Sequence, residues 1–264
     1  MTARRSGLGI AFDEVGTGIP IVFIHGFPHN RTLWAPQLGA LLSRARCVAP
    51  DLRGFGESDV RGPYSMQQYA DDIVGVLDRL QIDRAVVAGL SMGGYIVFEL
   101  WRRYRERVRG LILADTRAGA DGDDAKARRR ELIALARSRG AEAVADAQLP
   151  AMIGKTSRDR CPDTVEGVRE MMAAAPVEGI VGALEAMMAR PDSTPLLPTI
   201  DVPTLIVVGE EDVPTPPKEA RAMHEAIAGS RLEILAGAGH VSNVERPAAF
   251  NHVVSEFLGV LTYA

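Results

Sequence analysis

Arg84-Ala85-Val86-Val87-Ala88-Gly89-Leu90-Ser91-Met92-Gly93-Gly94 runs from a short β-branched, apolar segment into a stretch with helical periodicity, which puts Ser91 where a strand turns sharply into a helix. A serine hydroxyl is a weak nucleophile at neutral pH. To react, it must stand clear of the backbone within reach of a base. A turn this tight excludes side chains beside it, and glycine occupies those places. The five-residue string Gly-x-Ser-x-Gly is a weak signal alone; its strand before and helix behind make it strong.

Outward from Ser91, short apolar runs alternate with longer amphipathic segments, the pattern of a parallel sheet covered on both faces. Strands are predicted at Leu8–Val15, Ile19–Ile24, Ala45–Ala49, Ala85–Ala88, Gly110–Ala114, Thr204–Val208 and Leu232–Leu235, the central ones continuously apolar. Helices are predicted at Leu33–Ser43, Met66–Leu80 behind a Ser65 cap, Gly93–Arg105, Pro217–Ala228 and Pro247–Val260. From Arg117 to Leu197 the strand signal disappears. That stretch reads as helices at Asp123–Arg139, Ala141–Met152, Thr164–Ala174 and Val177–Ala189, broken by Pro150, Pro162, Pro176 and Pro191. The expectation is an α/β core over 1–116 and 198–264, with an all-helical lid, 117–197, over the carboxyl ends of the strands. Lys126-Ala127-Arg128-Arg129-Arg130-Glu131 reads as a solvated helix face.

The chain has 264 residues, enough for one large domain with a small excursion. A hydrophobic fraction of 47%, a charged fraction of 24% and a formal net charge of -4 are those of a soluble globular protein without a basic surface for nucleic acid. Two cysteines, Cys47 and Cys161, form no Cys-x-x-Cys pair and join no histidine cluster, so neither a disulfide scaffold nor a metal site is expected. Met1–Ile10 is not followed by an apolar run long enough for a signal peptide, and no stretch of about 18 apolar residues occurs. The expectation is a cytoplasmic protein with a small-molecule substrate, no cofactor, no metal, and neither nucleic-acid nor membrane partners. Self-association is left open, with the lid and the last helix as candidate contact surfaces.

A nucleophilic Ser91 requires a base, a group to orient the base, and donors for an oxyanion. Of five histidines, His240 lies in Gly237-Ala238-Gly239-His240, a glycine-bounded loop just past the last predicted strand. His224 and His252 sit inside predicted helices. His25 and His29 lie near the site but outside the chain order expected of a base. For the orienting carboxylate, Glu210, Glu211 and Asp212 follow the strand Thr204–Val208, and Asp212 stands in a turn-rich Asp-x-Pro-Thr-Pro context. Asp115, at the end of the strand before the lid, is its rival; Asp212 is favoured. The oxyanion donors are expected to be the backbone N–H groups of Met92 and Phe27, since Pro28 has none. Their side chains are then free to shape the pocket.

Five segments carry a resemblance: His25-Gly26-Phe27-Pro28, Asp51-Leu52-Arg53-Gly54-Phe55-Gly56-Glu57-Ser58, Gly89-Leu90-Ser91-Met92-Gly93-Gly94, Gly209-Glu210-Glu211-Asp212 and Gly237-Ala238-Gly239-His240. In these the chain resembles the α/β-hydrolase superfamily over essentially its whole length. Within it, the chain is similar to small bacterial carboxylesterases, 3-oxoadipate enol-lactonases and cofactor-free haloperoxidases. The resemblance implies Ser91 as nucleophile, His240 as base, Asp212 as acid, Phe27 and Met92 as oxyanion donors, and a structural role for Asp51–Ser58. It implies hydrolysis of small carboxylic esters, including lactones, through an acyl-serine. Dehalogenases and epoxide hydrolases of this fold carry aspartate at the nucleophile, and dienelactone hydrolases cysteine, so those branches are disfavoured. Pro28 resembles the haloperoxidase and perhydrolase branch. A receptor that keeps the fold without turnover is the non-enzymatic alternative, and such proteins often lose a triad residue. For substrate contact the candidates are Trp34, Met152, Met171, Met172, Met187 and Met188. Among the lid arginines, Arg117, Arg137, Arg158 and Arg190 are candidates to hold a substrate carboxylate, as an enol-lactonase would need.

Overall fold

Alternation along Ile19–Ile24 sets the plan of the molecule. Ile21 and Phe23 point into one apolar core and Val22 and Ile24 into another, on opposite faces of the same strand. The computed structural model describes residues 2–5 and 8–262; the reading of Met1–Ile10 falls partly outside them, at Met1, Ser6 and Gly7. Among the described residues the strands, in chain order, are β1 (Thr2–Arg5), β2 (Leu8–Val15), β3 (Ile19–Ile24), β4 (Ala45–Pro50), β5 (Ala85–Leu90), β6 (Val108–Ala114), β7 (Thr204–Gly209) and β8 (Arg231–Leu235). They form one sheet in the order β1-β2-β4-β3-β5-β6-β7-β8. From β4 through β8 neighbours are parallel, while β2 is antiparallel to both β1 and β4. The first strand was not expected, because Thr2-Ala3-Arg4-Arg5 carries no apolar alternation; its ladder to β2 is what makes it a strand.

The helices are α1 (Ala35–Leu41), α2 (Met66–Arg79), α3 (Met92–Tyr104), α4 (Asp123–Met152), α5 (Lys155–Arg160), α6 (Pro162–Ala173), α7 (Val177–Ala189), α8 (Pro217–Ala226), α9 (Ser242–Glu245) and α10 (Pro247–Thr262). Tyr69 and Ile73 of α2, Ile96 and Trp101 of α3, and Met223 of α8 fill one core. Leu38 and Leu41 of α1 and Phe250, Val254 and Phe257 of α10 fill the other. Ser65 caps α2 by accepting the Gln68 N–H at 3.1 Å, as read from the sequence. The helix expected at Leu33–Ser43 instead starts with a 3-10 turn, Arg31–Trp34, whose Thr32 N–H is held by Asn30 Oδ1 at 2.9 Å. Between β6 and β7 only helices occur. Gly140, at φ 80°, breaks α4 into two, whereas Pro150 lies in its final turn and does not end it. Among the described residues no single helix is long and apolar enough to cross a membrane.

The order in which successive strands join the sheet reverses at β3, which has β4 on one side and β5 on the other, both parallel to it. Open parallel sheets bind ligands outside the strand carboxyl ends at such a switch point. Ile24 pairs with Gly89, so the loop carrying Phe27 and the turn carrying Ser91 leave from adjacent strand ends.

Candidate active site

Ser91 lies between the end of β5 and the first residue of α3 with φ 54° and ψ -114°. A non-glycine residue in this region costs about 1–3 kcal/mol and persists only where its surroundings hold it. Here the Ser91 N–H donates to Ala114 O at 2.9 Å, and Ser91 O accepts from Gly94 N–H at 2.9 Å and Thr116 Oγ1 at 2.8 Å. A Cβ at Gly89 would collide with the Gly93 carbonyl, and one at Gly93 with Ile24 O. These glycines therefore let β3, β5 and α3 meet closely enough to hold the strained serine.

Beyond β7, Asp212 is 3% exposed and accepts the Thr215 N–H at 2.9 Å and the Thr215 hydroxyl at 2.8 Å. Both its oxygens lie 3.0 Å from His240 Nδ1. His240, on the loop after β8, brings Nε2 to 2.8 Å from Ser91 Oγ. With Nδ1–H donating to the carboxylate, Nε2 is left as acceptor for the serine proton. The backbone of His240 is fixed in turn, its N–H donating to Met152 O at 2.9 Å. Thr215 and the Met152 carbonyl were not singled out from sequence. The Asp-x-Pro-Thr spacing, a turn whose first side chain accepts from the threonine, is the signal that finds Thr215.

The rival carboxylate, Asp115, is wholly buried at the end of β6 and does a different job. It accepts the Gly209 N–H at 2.8 Å, the Ser242 hydroxyl at 2.6 Å and the Ser242 N–H at 3.3 Å, bracing the exits of both β7 and β8. Burial, reinforced by the neighbouring Asp212 charge, pushes its carboxyl well above the usual range. Glu211 accepts the Thr156 N–H and hydroxyl at 2.8 and 2.5 Å, and Glu210 the Gly237 N–H at 3.1 Å. His25 is also structural: Nδ1–H donates to Gly26 O at 2.8 Å and Nε2 accepts the Leu52 N–H at 3.0 Å. His29 is fully buried, and burial together with His25 and His240 pulls its imidazole down to about 3. In the segment Asp51–Ser58, Asp51 accepts from Arg31 N–H and Glu57 N–H, and Ser58 Oγ bridges Asp51 O and Ala11 N–H. These contacts tie loops together.

A cavity of about 110 Å³ opens in front of Ser91 and His240, walled by Phe27, Tyr95, Met152 and Met187 among others. Met92 opens α3, so its N–H has no acceptor within the helix. Its side chain lies in the core instead of shaping the pocket, whereas Phe27 does line it. Trp34, expected at the substrate, is fully buried on the far face of β3, 4.9 Å from Phe23 and 5.9 Å from Phe250. The apolar demand of that core claims it. Met172 is likewise core, and Met171 and Met188 pack against core clusters. Of the arginines named, Arg117 lines the cavity, Arg137 is exposed beside Glu185, and Arg158 donates to the carbonyls of Pro150 and Ile153. Arg190 pairs with Asp121. The run Lys126–Glu131 is not wholly a solvated face, because Arg129 turns inward to Asp121 and lines the cavity.

The model of the α/β hydrolase fold family matches residues 19–247. The chain is 32% identical over 255 residues to 3-oxoadipate enol-lactonase 2 of Acinetobacter baylyi, covering 96% of this chain and 94% of that one. Among solved structures, a thermophilic esterase from Thermogutta terrifontis, with malate bound, superposes with TM-score 0.95 at 38% identity, over 99% of this chain and 98% of that one. The enol-lactonase from Burkholderia xenovorans superposes with TM-score 0.91 at 32% identity, over 98% of this chain and 100% of that one. A parallel sheet with a strained serine at its switch point, and these matches along nearly the whole length, have one reading: the chain belongs to the α/β-hydrolase family.

Proposed function

We propose that this enzyme hydrolyses small carboxylic esters, including lactones, through an acyl-serine formed on Ser91. The observation that carries the reading is the unbroken chain of hydrogen bonds from Asp212 through His240 to Ser91, 3.0 and 2.8 Å long, at the sheet's switch point. Ser91 Oγ attacks the ester carbonyl as His240 Nε2 takes its proton, and Asp212 holds Nδ1–H and balances the imidazolium. The oxyanion is met by the Phe27 and Met92 N–H groups. His240 then gives its proton to the departing alkoxide, releasing the alcohol, or opening the ring of a lactone. Water, deprotonated by the same histidine, adds to the acyl-serine and frees the acid. Residues 117–197 act as a lid on the core formed by 1–116 and 198–264, and its Met152 carbonyl also steadies the histidine loop.

Turnover of 4-nitrophenyl butyrate and of a simple lactone by the parent protein and by Ser91→Ala tests this reading. Loss of at least about 10³-fold in kcat/KM with the fold intact is expected. Retained turnover in Ser91→Ala would refute it.

A further inference from the structure

Gly239, His240 and Val241 present three consecutive N–H groups, and all three donate outside the sheet. The outer two share one carboxyl oxygen, Glu245 Oε1, at 2.9 and 3.3 Å, and the His240 N–H donates to Met152 O at 2.9 Å. Glu245 is 4% exposed, and its second oxygen, Oε2, accepts the Gly154 N–H at 3.0 Å. Met152 and Gly154 belong to the lid. A closed ring of hydrogen bonds therefore runs from the lid to the loop of the base, on to Glu245 and back to the lid.

The lid stretch involved is short and extended. Ile153 (φ -104°, ψ 132°) and Gly154 (φ -61°, ψ 149°) link α4 to α5, and the Ile153 side chain is buried in the core that also holds Ala238 and Val241. The contact needs glycine on both sides: a Cβ at Gly154 would run into Gly239 N, and one at Gly239 into Gly154 N. Two residues on, Thr156 gives its N–H and hydroxyl to Glu211, the neighbour of Asp212, and the Glu211 N–H donates to Ala238 O at 2.7 Å. Met152, Gly154 and Thr156 thus tie the loop of the base to the loop of the acid. With Gly237 at φ 65° and Gly239 two residues on, the histidine loop has few side chains to fix its own path, and these bonds supply the restraint. Transfer of a proton from Ser91 Oγ to Nε2 over 2.8 Å tolerates little drift, since a displacement of about 1 Å costs on the order of 100-fold in rate.

We infer that Glu245 is a positioning residue for His240, and that residues 152–156 of the lid form the other half of the same clasp, so that the base is fully held only when the lid is seated. This rests on the hydrolytic reading of Ser91. Neither Glu245 nor Thr156 is among the described residues that wall the cavity, so both act through the loops of His240 and Asp212. Met152 does wall it, which puts a bound substrate one side chain away from the carbonyl that holds the histidine loop. Seating of the lid is therefore felt in kcat, through the histidine, as well as in substrate binding.

The test is kcat and KM for 4-nitrophenyl butyrate, expressed per serine titrated with a 4-nitrophenyl alkylphosphonate, so that unfolded enzyme does not count. Glu245→Gln keeps one acceptor oxygen for three N–H groups and turns an NH2 against one side of the clasp. It is expected to lower kcat by about tenfold with KM within about threefold of the parent, and Glu245→Ala by about a hundredfold. Thr156→Val, which removes only the hydroxyl bond to Glu211, should lower kcat about three- to tenfold, and Thr156→Ser should restore it. Lys155→Ala, between the two lid ties and 79% exposed, should keep the parent kcat. The rate constant of phosphonylation should fall by the same factors, since it uses the same proton transfer. Parent kcat per titrated serine in Glu245→Gln or in Thr156→Val would overturn the inference, even with a lowered urea midpoint, because a merely structural group changes the amount of folded enzyme and not its rate. A rise in KM at unchanged kcat, or a loss in Thr156→Val that Thr156→Ser does not restore, would overturn it too. Turnover that persists in Ser91→Ala would instead overturn the reading on which it rests.

Discussion

The strand ends and the helices α4–α7 meet at one small cavity, and they are built by different rules. At the strand ends the backbone decides. Gly89, Gly93, Gly209 and Gly239 each stand where a Cβ would run into another main chain, and Ser91 is held at positive φ by bonds from three sides. In the insertion, Gly119, Gly122, Gly140 and Gly167 have nothing within 4 Å of such a Cβ. Crowding returns where the insertion touches the core, at Gly154 against Gly239, Gly179 against Gly54 and Gly182 against the Tyr64 ring. Reactive geometry is thus fixed by main-chain contacts, while the chemistry facing the substrate rests on side chains such as Arg117, Arg129, Met152 and Met187. The first cannot drift without loss of the site. The second can change one residue at a time.

The largest expected effect lies within the strand ends and separates their two carboxylates. Asp212→Asn should lower kcat/KM for 4-nitrophenyl butyrate by on the order of 10⁴, because an amide cannot hold the imidazole in the required tautomer. Asp115→Asn should cost less than about tenfold. Asp115 meets neither Ser91 nor His240, so its loss is felt through the brace, and the weakened bond to Ser242 appears as about 1 kcal/mol of stability. Equal losses in the two variants would erase the distinction between an orienting acid and a brace.

Stability separates the regions themselves. Gly93→Ala should destabilise by more than about 3 kcal/mol, since its methyl group meets the Ile24 carbonyl inside the β3–α3 junction. Gly167→Ala, in α6 with open space around it, should stabilise by about 0.5–1 kcal/mol through helix propensity. Urea unfolding reads both, and opposite signs are the expected outcome.

Acid pH should touch the regions in different windows. His29, in the loop after β3, takes up its proton near 6.5 when unfolded but only near 3 when folded, so the unfolded chain binds more protons between those values. Stability should therefore fall as pH drops below about 6.5, and His29→Leu should flatten that slope. Asp121 in the insertion, held down to about 2, gives stability that is present above about 3.9 and fades only as pH falls towards 2. Urea midpoints between pH 8 and pH 4 test the first window. An unchanged slope in His29→Leu would show that the acid response arises elsewhere.

The same contrast explains what the sequence discloses. Continuous apolar runs marked β3 to β7 because both faces of those strands are buried, and the strand-turn-helix context marked Ser91 because Gly89 and Gly93, flanking it, stand where a Cβ would meet another stretch of main chain. Asp212 and His240 could be singled out because each follows a strand in a turn-rich loop. Trp34 and Arg129 were misread for one reason. A large aromatic suits a core or a pocket equally, and a basic run does not say which arginine turns inward; that depends on Asp121, eight residues away across the start of α4. Thr2–Arg5 gave no strand pattern, because its partner's ladder and not its own side chains makes it extended.

The central claim is that Ser91 alone is the activated nucleophile, poised by His240. It is tested most directly by titrating the enzyme with a 4-nitrophenyl alkylphosphonate and mapping the adduct by mass spectrometry. One equivalent of 4-nitrophenol per chain, one phosphonyl group on Ser91, and labelling slowed by at least about 100-fold in His240→Ala are predicted. Ester hydrolysis that continues with Ser91 unlabelled, or an adduct on another residue, would contradict the account.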